Sequence, residues 1–222
     1  MLSLAARGLG ALKDEVVFVG GATIELYLAN HPALKVRPTD DVDCVVEVVS
    51  RVEYYKIEER LRELGFRHPI NERAPICRWH YQGIVVDVMP IEGKILGFTN
   101  RWYPEGFKSA VGASLPDGQA IRLFDLPYFL ASKVEAFRDR GKNDYAGSTD
   151  LEDIVALIDG IPNFQARILR ASEEVRSYIQ ESFNELIGDE RFLDYLEGHI
   201  SPVGRQERVA RARSILQALA AP

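Results

Sequence analysis

Three carboxylates set in apolar, β-like sequence are the residues best suited to chemistry. Asp41 and Asp43 lie in Thr39-Asp40-Asp41-Val42-Asp43-Cys44-Val45-Val46, and Asp87 interrupts Val85-Val86-Asp87-Val88-Met89. Side chains along a strand alternate faces, so Asp41 and Asp43 point the same way while Asp40, on the other face, reads as a turn residue. Neighbouring carboxylates repel unless a cation lies between them. Acids are also depleted in strands, and unpaired charge among apolar residues is costly. The simplest resolution is a divalent metal held by Asp41, Asp43 and Asp87. The competing reading has Asp41 capping a turn, with Asp43 and Asp87 paired to basic side chains. Upstream, Gly20 and Gly21 separate an apolar run from a helical pattern. A Gly pair there lets backbone approach a phosphate chain, with the free N–H groups of the helix start facing the anion. Thr23 either hydrogen-bonds that phosphate or caps the helix.

The elements that must position these groups follow from periodicity and punctuation. Residues 16–19 (Val-Val-Phe-Val) read as a buried strand, and Ala22 to Ala29 as a helix stopped by Asn30-His31-Pro32. A loop from Pro32 to Thr39 carries Lys35 and Arg37 and leads into a strand from Asp41 to Val49. Ser50 then caps a helix with Tyr54, Ile57, Leu61 and Leu64 on one face, closed by Gly65. Cys77 to Tyr81 and Ile84 to Ile91 form a hairpin around Gln82-Gly83. The Gly-, Pro- and aromatic-rich stretch from Glu92 to Gly118 marks a boundary. Beyond Leu123 the period is helical: Leu126, Leu130, Val134 and Phe137, then Leu151, Ile154, Val155 and Ile158, then three further amphipathic stretches.

Composition sets outer bounds. At 222 residues, 46% hydrophobic and 27% charged, the chain has the balance of an ordinary globular protein. A net charge of −6 and a pI near 5.4 argue against a nucleic-acid coat protein, though not against a local basic patch. Cys44 and Cys77 fall in apolar strand-like sequence and read as buried thiols, which suits a cytoplasmic location. No paired Cys or His spacing points to zinc. No run is long enough for a membrane span, and residues 1–12 read as a short packing helix rather than a secretory signal.

In the helical half, Lys133 lies beside the apolar stripe four residues after Phe129, placed either to snorkel to solvent or to reach a phosphate as a point charge. Asp150 begins a helix, with Thr149 and Glu152 as a capping box. Arg205, Arg208, Arg211 and Arg213 flank an apolar stripe and suit either an RNA backbone or a solvated face. His31, His68, His80 and His199 show no ligand grouping. Trp79 and Trp102 read as core or hairpin packing before base stacking.

The strand, Gly-Gly turn, helix, Asp-x-Asp strand and later single Asp resemble the nucleotidyltransferase superfamily, over about residues 16–160. Leu126-Pro127-Tyr128-Phe129-Leu130-Ala131-Ser132-Lys133 and Asp150-Leu151-Glu152-Asp153-Ile154 look like motifs of its AbiEii-type toxin branch. Gly21 stands where many members have Ser, and 20 positions separate Gly21 from Asp41.

The resemblance implies an α+β fold: an N-terminal nucleotidyltransferase-like mixed sheet with flanking helices over residues 1–118, and a helical domain over 119–222 that closes the substrate cleft. It implies transfer of a nucleoside monophosphate from an NTP to an acceptor hydroxyl, with pyrophosphate leaving. Two Mg²⁺ ions on Asp41, Asp43 and Asp87 would serve the reaction, with Asp87 helping to deprotonate the acceptor. The phosphate contacts would come from Gly20, Gly21, Thr23 and Lys133, with Asp150 supporting. The toxin branch implies an RNA acceptor such as a tRNA end, and a partner antitoxin. The alternatives are transfer to a small molecule such as an aminoglycoside, or a non-catalytic nucleotide-binding regulatory member.

Overall fold

The computed structural model describes residues 1–28, 37–71, 74–141, 144–145, 147–200 and 202–220. The expected helix stop at Asn30-His31-Pro32 and the loop position Lys35 lie outside them. Chain contacts divide the protein into two compact units. One comprises Met1–Leu26 with Arg37–Asp125; the other takes Leu126–Pro222 together with the segment that starts at Tyr27.

In the first unit, helix α1 (Leu2–Leu9) leads through a 3₁₀ turn into strand β1 (Val16–Val19), every residue of which is buried. A 3₁₀ turn over Gly21–Thr23 and the short α2 (Ile24–Tyr27) follow, in place of the longer helix expected to Ala29. Strand β2 (Asp41–Val46) connects through α3 (Arg51–Glu63) and β3 (Arg78–Tyr81) to β4 (Ile84–Pro90). Ser50 caps α3 by accepting from the Glu53 amide at 3.2 Å. Tyr54, buried on α3, donates to the Val88 carbonyl at 2.7 Å and ties that helix to the sheet. The segment from Glu92 to Gly118 holds α4 (Gly93–Leu96), α5 (Tyr103–Lys108) and β5 (Val111–Ser114), with β6 (Ala120–Leu123) beyond it.

The six strands lie in the order β3-β4-β2-β1-β6-β5. β2 pairs with β4 in parallel and with β1 antiparallel, β1 pairs with β6 in parallel, and both hairpins are antiparallel. The sheet is therefore mixed. Its apolar face carries Val42, Cys44, Val86 and Val88, all fully buried. Trp79 is buried among the core residues, as is Trp102, so neither offers a ring for base stacking. The β3–β4 turn places Gln82 at φ 45° and Gly83 at φ 86°, the positive pair a two-residue hairpin requires.

The second unit is helical. It contains α6 (Leu126–Ala136), a π-helical turn over Phe137–Gly141, α7 (Thr149–Gly160), α8 (Phe164–Leu169), α9 (Glu173–Ile187), α10 (Glu190–His199) and α11 (Arg205–Ala220). α6 packs on α7 and α9, and α11 on α9. Four helices follow α7 rather than three, because the six-residue α8 is too short to leave a clear period. Ser148, not Thr149, caps α7, accepting from the Leu151 amide at 3.2 Å. The fold class is α+β, and no described helix is long and apolar enough to cross a membrane.

Candidate metal centre

Sheet register assembles the acidic site. In the parallel β2–β4 pair Asp43 stands opposite Asp87 and Asp41 opposite Val85. Asp41 and Asp43 share a face through their two-residue spacing, so all three carboxylates point from one side of two adjacent strands. Each offers an oxygen within 4.8 Å of the others. Asp87 is buried, and Asp41 and Asp43 are half-buried.

Sequence reasoning missed Arg78. It stands directly opposite Asp87 in the β3–β4 hairpin. Its Nε donates to Asp87 Oδ1 at 2.9 Å and its Nη2 to Asp87 Oδ2 at 2.7 Å. The same Nη2 donates to Asp41 Oδ2 at 3.0 Å. These bonds, that to Asp87 foremost, raise the guanidinium pKa above its already high ordinary value. A divalent metal was the simplest balance for the trio; in the structure a guanidinium already bridges two of its members. The competing reading expected basic partners for Asp43 and Asp87 and a turn cap for Asp41; Arg78 is such a partner for Asp87, and Asp41 shares it.

The donor set nonetheless fits a small divalent ion. Carboxylate oxygens are the ligands Mg²⁺ takes, and opposite ligands of an octahedral ion lie roughly 4.2 Å apart. Each carboxylate oxygen carries two lone pairs, so the bonds from Arg78 leave acceptor capacity at both Asp41 and Asp87.

Gly20 and Gly21 lie at the end of β1, next to Asp43. Val19 is the β1 partner of Asp43, and Gly20 follows with φ 74°. A Cβ on Gly20 would stand 2.0 Å from Asp43 Oδ2, so this glycine makes the room the carboxylate occupies. A Cβ on Gly21 would meet Thr39 Cγ2 at 2.7 Å and Arg37 Nη2 at 2.8 Å, which places the Arg37 guanidinium beside Gly21. Thr23 is fully enclosed, and its hydroxyl donates to the Gly20 carbonyl at 2.8 Å. That bond closes the turn and turns Thr23 away from the phosphate role considered for it. With only a 3₁₀ turn and four helical residues behind the Gly pair, few aligned peptides face an anion there.

Lys133 does not snorkel. Its side chain is buried in the helical unit, with Nζ 2.6 Å from Asp153 Oδ2 and 3.2 Å from Asp150 Oδ1. Arg140, on the π-helical turn, donates to Asp150 Oδ2 at 2.8 Å. Asp150 and Asp153 lie three apart on α7, one helical turn, which lets one ammonium meet both. The C-terminal arginines are engaged within the same unit: Arg208 and Arg211 pair with the buried Asp159, Arg213 with Glu197, and Arg205 with the Ile200 carbonyl.

Cys44 lies between the acids in sequence but on the opposite face, donating its thiol to the Asp87 carbonyl at 3.6 Å. Burial, then the charges of Asp43 and Asp87, push its pKa up. Cys77 is pushed up to about 12, burial again first.

No family model and no curated protein matches the chain. Among solved structures it is similar to the antibiotic-resistance factor ANT(2'')-Ia, determined in solution. The two share 14% identity, with a TM-score of 0.47 over 81% of this chain and 92% of the other.

Proposed function

We propose that the acidic trio is the metal centre of a nucleotidyltransferase, which moves a nucleoside monophosphate from an NTP to an acceptor hydroxyl. The observation that carries the reading is the register that gathers oxygens of Asp41, Asp43 and Asp87 within 4.8 Å on one sheet face. Phosphoryl transfer asks little covalent chemistry of a protein and much positioning and charge balance. Mg²⁺ bound there would supply the charge balance at the attacking and leaving oxygens.

The chain's own residues do the rest. Asp41 and Asp43, beside Gly20, would hold the Mg²⁺ that offsets the charge of the triphosphate. Asp87 accepts the acceptor hydroxyl's proton as its oxygen bonds the α-phosphorus. The bond from that phosphorus to the β-phosphate bridge breaks, and pyrophosphate leaves with the electron pair. Lys133 and Asp150 belong on this reading to the framework of the helical unit. An RNA acceptor such as a tRNA end, and an antitoxin partner, rest on the resemblance of the Lys133 and Asp150 motifs to the toxin branch.

Incubation with each α-labelled NTP, Mg²⁺ and total RNA tests the reading, with Asp87→Asn alongside. Label should pass to RNA with the wild type. The variant should lose roughly 10²- to 10⁴-fold in rate, the range a positioned base contributes, with an unchanged circular-dichroism spectrum. Equal transfer by both proteins would remove Asp87 from the mechanism.

A further inference from the structure

Both carboxylate oxygens of Asp87 are engaged by one guanidinium: Arg78 Nε meets Oδ1 and Nη2 meets Oδ2. Asp41 gives the same guanidinium only Oδ2. The Asp87 side chain is 10% exposed, so little water competes for its two bonds. A two-ion centre needs one divalent ion on the Asp41–Asp43 pair and a second on Asp87. Lone pairs remain on the Asp87 oxygens. An ion that used them would nevertheless sit against a like charge bonded to the same atoms.

The backbone fixes Arg78 in that place. Its position opposite Asp87 follows from the β3–β4 register, which closes at Tyr81 and Ile84 beside the Gln82-Gly83 turn. Next to it the Val88 amide donates to the Cys77 carbonyl at 2.8 Å, and the Arg78 amide donates to the Pro75 carbonyl at 3.0 Å. Among the described residues, Asp41 and Asp87 are its ion-pair partners, so no other acid draws it away. A guanidinium also keeps its charge at any pH at which a protein is folded.

We propose that Arg78 takes the place of the second divalent ion, so that the centre works with one. The proposal rests on the nucleotidyltransferase reading and narrows it. The single ion belongs to Asp41 and Asp43 on the triphosphate side, and Arg78 to Asp87 on the acceptor side. Asp41 serves both cations, with Oδ2 on Arg78 and Oδ1 left to the ion. A bound metal ion would ionise an oxygen that it ligates, whereas a guanidinium supplies positive charge and a fixed direction only. Taking the acceptor's proton therefore falls to Asp87 itself. Arg78 is a positioning residue: its two-pronged grip holds the Asp87 carboxylate in one orientation.

The number of bound ions tests this. Mn²⁺ is added to the protein alone, and with the α,β-methylene analogues of ATP, GTP, CTP and UTP in turn, which cannot release pyrophosphate. Native mass spectrometry counts ions per protein. Electron paramagnetic resonance shows whether two neighbouring Mn²⁺ ions broaden each other's spectrum. Wild type should hold one Mn²⁺ without mutual broadening, and Arg78→Gln should hold two with it. Arg170→Gln, at an exposed arginine of the helical unit, controls for the loss of one positive charge and should match wild type. Arg78→Met replaces Arg78→Gln if that protein melts early. Two mutually broadened ions in the wild type overturn the proposal whatever the variants do. A single ion in the Arg78 variant, or a second ion in Arg170→Gln, also overturns it. The expected ion counts without binding of any nucleotide analogue would overturn the nucleotidyltransferase reading and leave the substitution of Arg78 for an ion standing. Absence of Mn²⁺ from the wild type would overturn both.

Discussion

Arg78 and Asp87 face each other across the β3–β4 hairpin and share two parallel hydrogen bonds, at 2.9 and 2.7 Å. The planar guanidinium fits a carboxylate in this two-pronged way, and here one prong also reaches Asp41. The arginine is the protein's own counter-ion at a site built from acids. A divalent ion entering the trio must share those oxygens with it.

Arg78→Gln should therefore separate the two cations. Without metal, Asp41 and Asp87 lose their shared partner and the thermal midpoint falls. With Mn²⁺ the loss is recovered, and the variant binds Mn²⁺ roughly tenfold more tightly because a like charge has gone. Differential scanning fluorimetry across a Mn²⁺ titration reads both effects. A variant that is no more metal-responsive than wild type contradicts the competition.

Gly20→Ala should cost about 1–3 kcal/mol, since an L side chain at that backbone geometry is strained. It should also weaken metal binding, because the new methyl occupies the position of Asp43 Oδ2. Gly21→Ala should be milder, as one of the atoms it meets is the mobile end of Arg37. Urea melts and Mn²⁺ titrations of the two variants make the comparison. Equal behaviour would show that Gly20 does not shape the site.

Lys133→Met removes one cation from two buried carboxylates, whose side chains are 6% and 2% exposed for Asp150 and Asp153. Breaking a buried pair from one side typically costs about 3–5 kcal/mol. Asp150 keeps its bond from Arg140. Lys133→Met/Asp153→Asn should recover part of the loss, and chemical denaturation gives the coupling directly. A fully additive pair would mean the ion cluster contributes nothing as a unit.

Cys44 and Cys77 should resist thiol reagents at pH 8 in the folded chain, and both should react once urea is added. An ordinary thiol ionises near pH 8.5, whereas Cys77 does so only at about 12. The folded state thus holds its proton longer than the unfolded state. The resulting stability is fully present below about pH 8.5 and is lost as pH rises towards about 12. Rapid native labelling of either cysteine would contradict their enclosure.

Much of this site was legible before any coordinates. Valine-rich runs broken by single acids marked the strands, and alternation put Asp41 and Asp43 on one face. The Gln82-Gly83 turn also fixed Arg78: pairing Tyr81 with Ile84 and counting outwards sets residue 78 opposite residue 87. That inference was open and was missed, because the metal reading supplied a cation without it. The β5–β6 hairpin was hidden for a physical reason: Val-Gly-Ala-Ser is weakly apolar and largely exposed, so it carries no periodic signal. For Thr23 and Lys133 the sequence left alternatives open, because burial, which a sequence does not state, decides what their polar atoms meet.

The pairing of β2 with β4 has a consequence for how such a protein diversifies. Asp43 and Asp87 are kept apart by the spacing of neighbouring strands, a dimension that loop changes cannot stretch. Segments at the sheet's rim, such as residues 67–71 beside Arg78, are free to change without altering that distance. The distance between the two carboxylates keeps its gauge throughout.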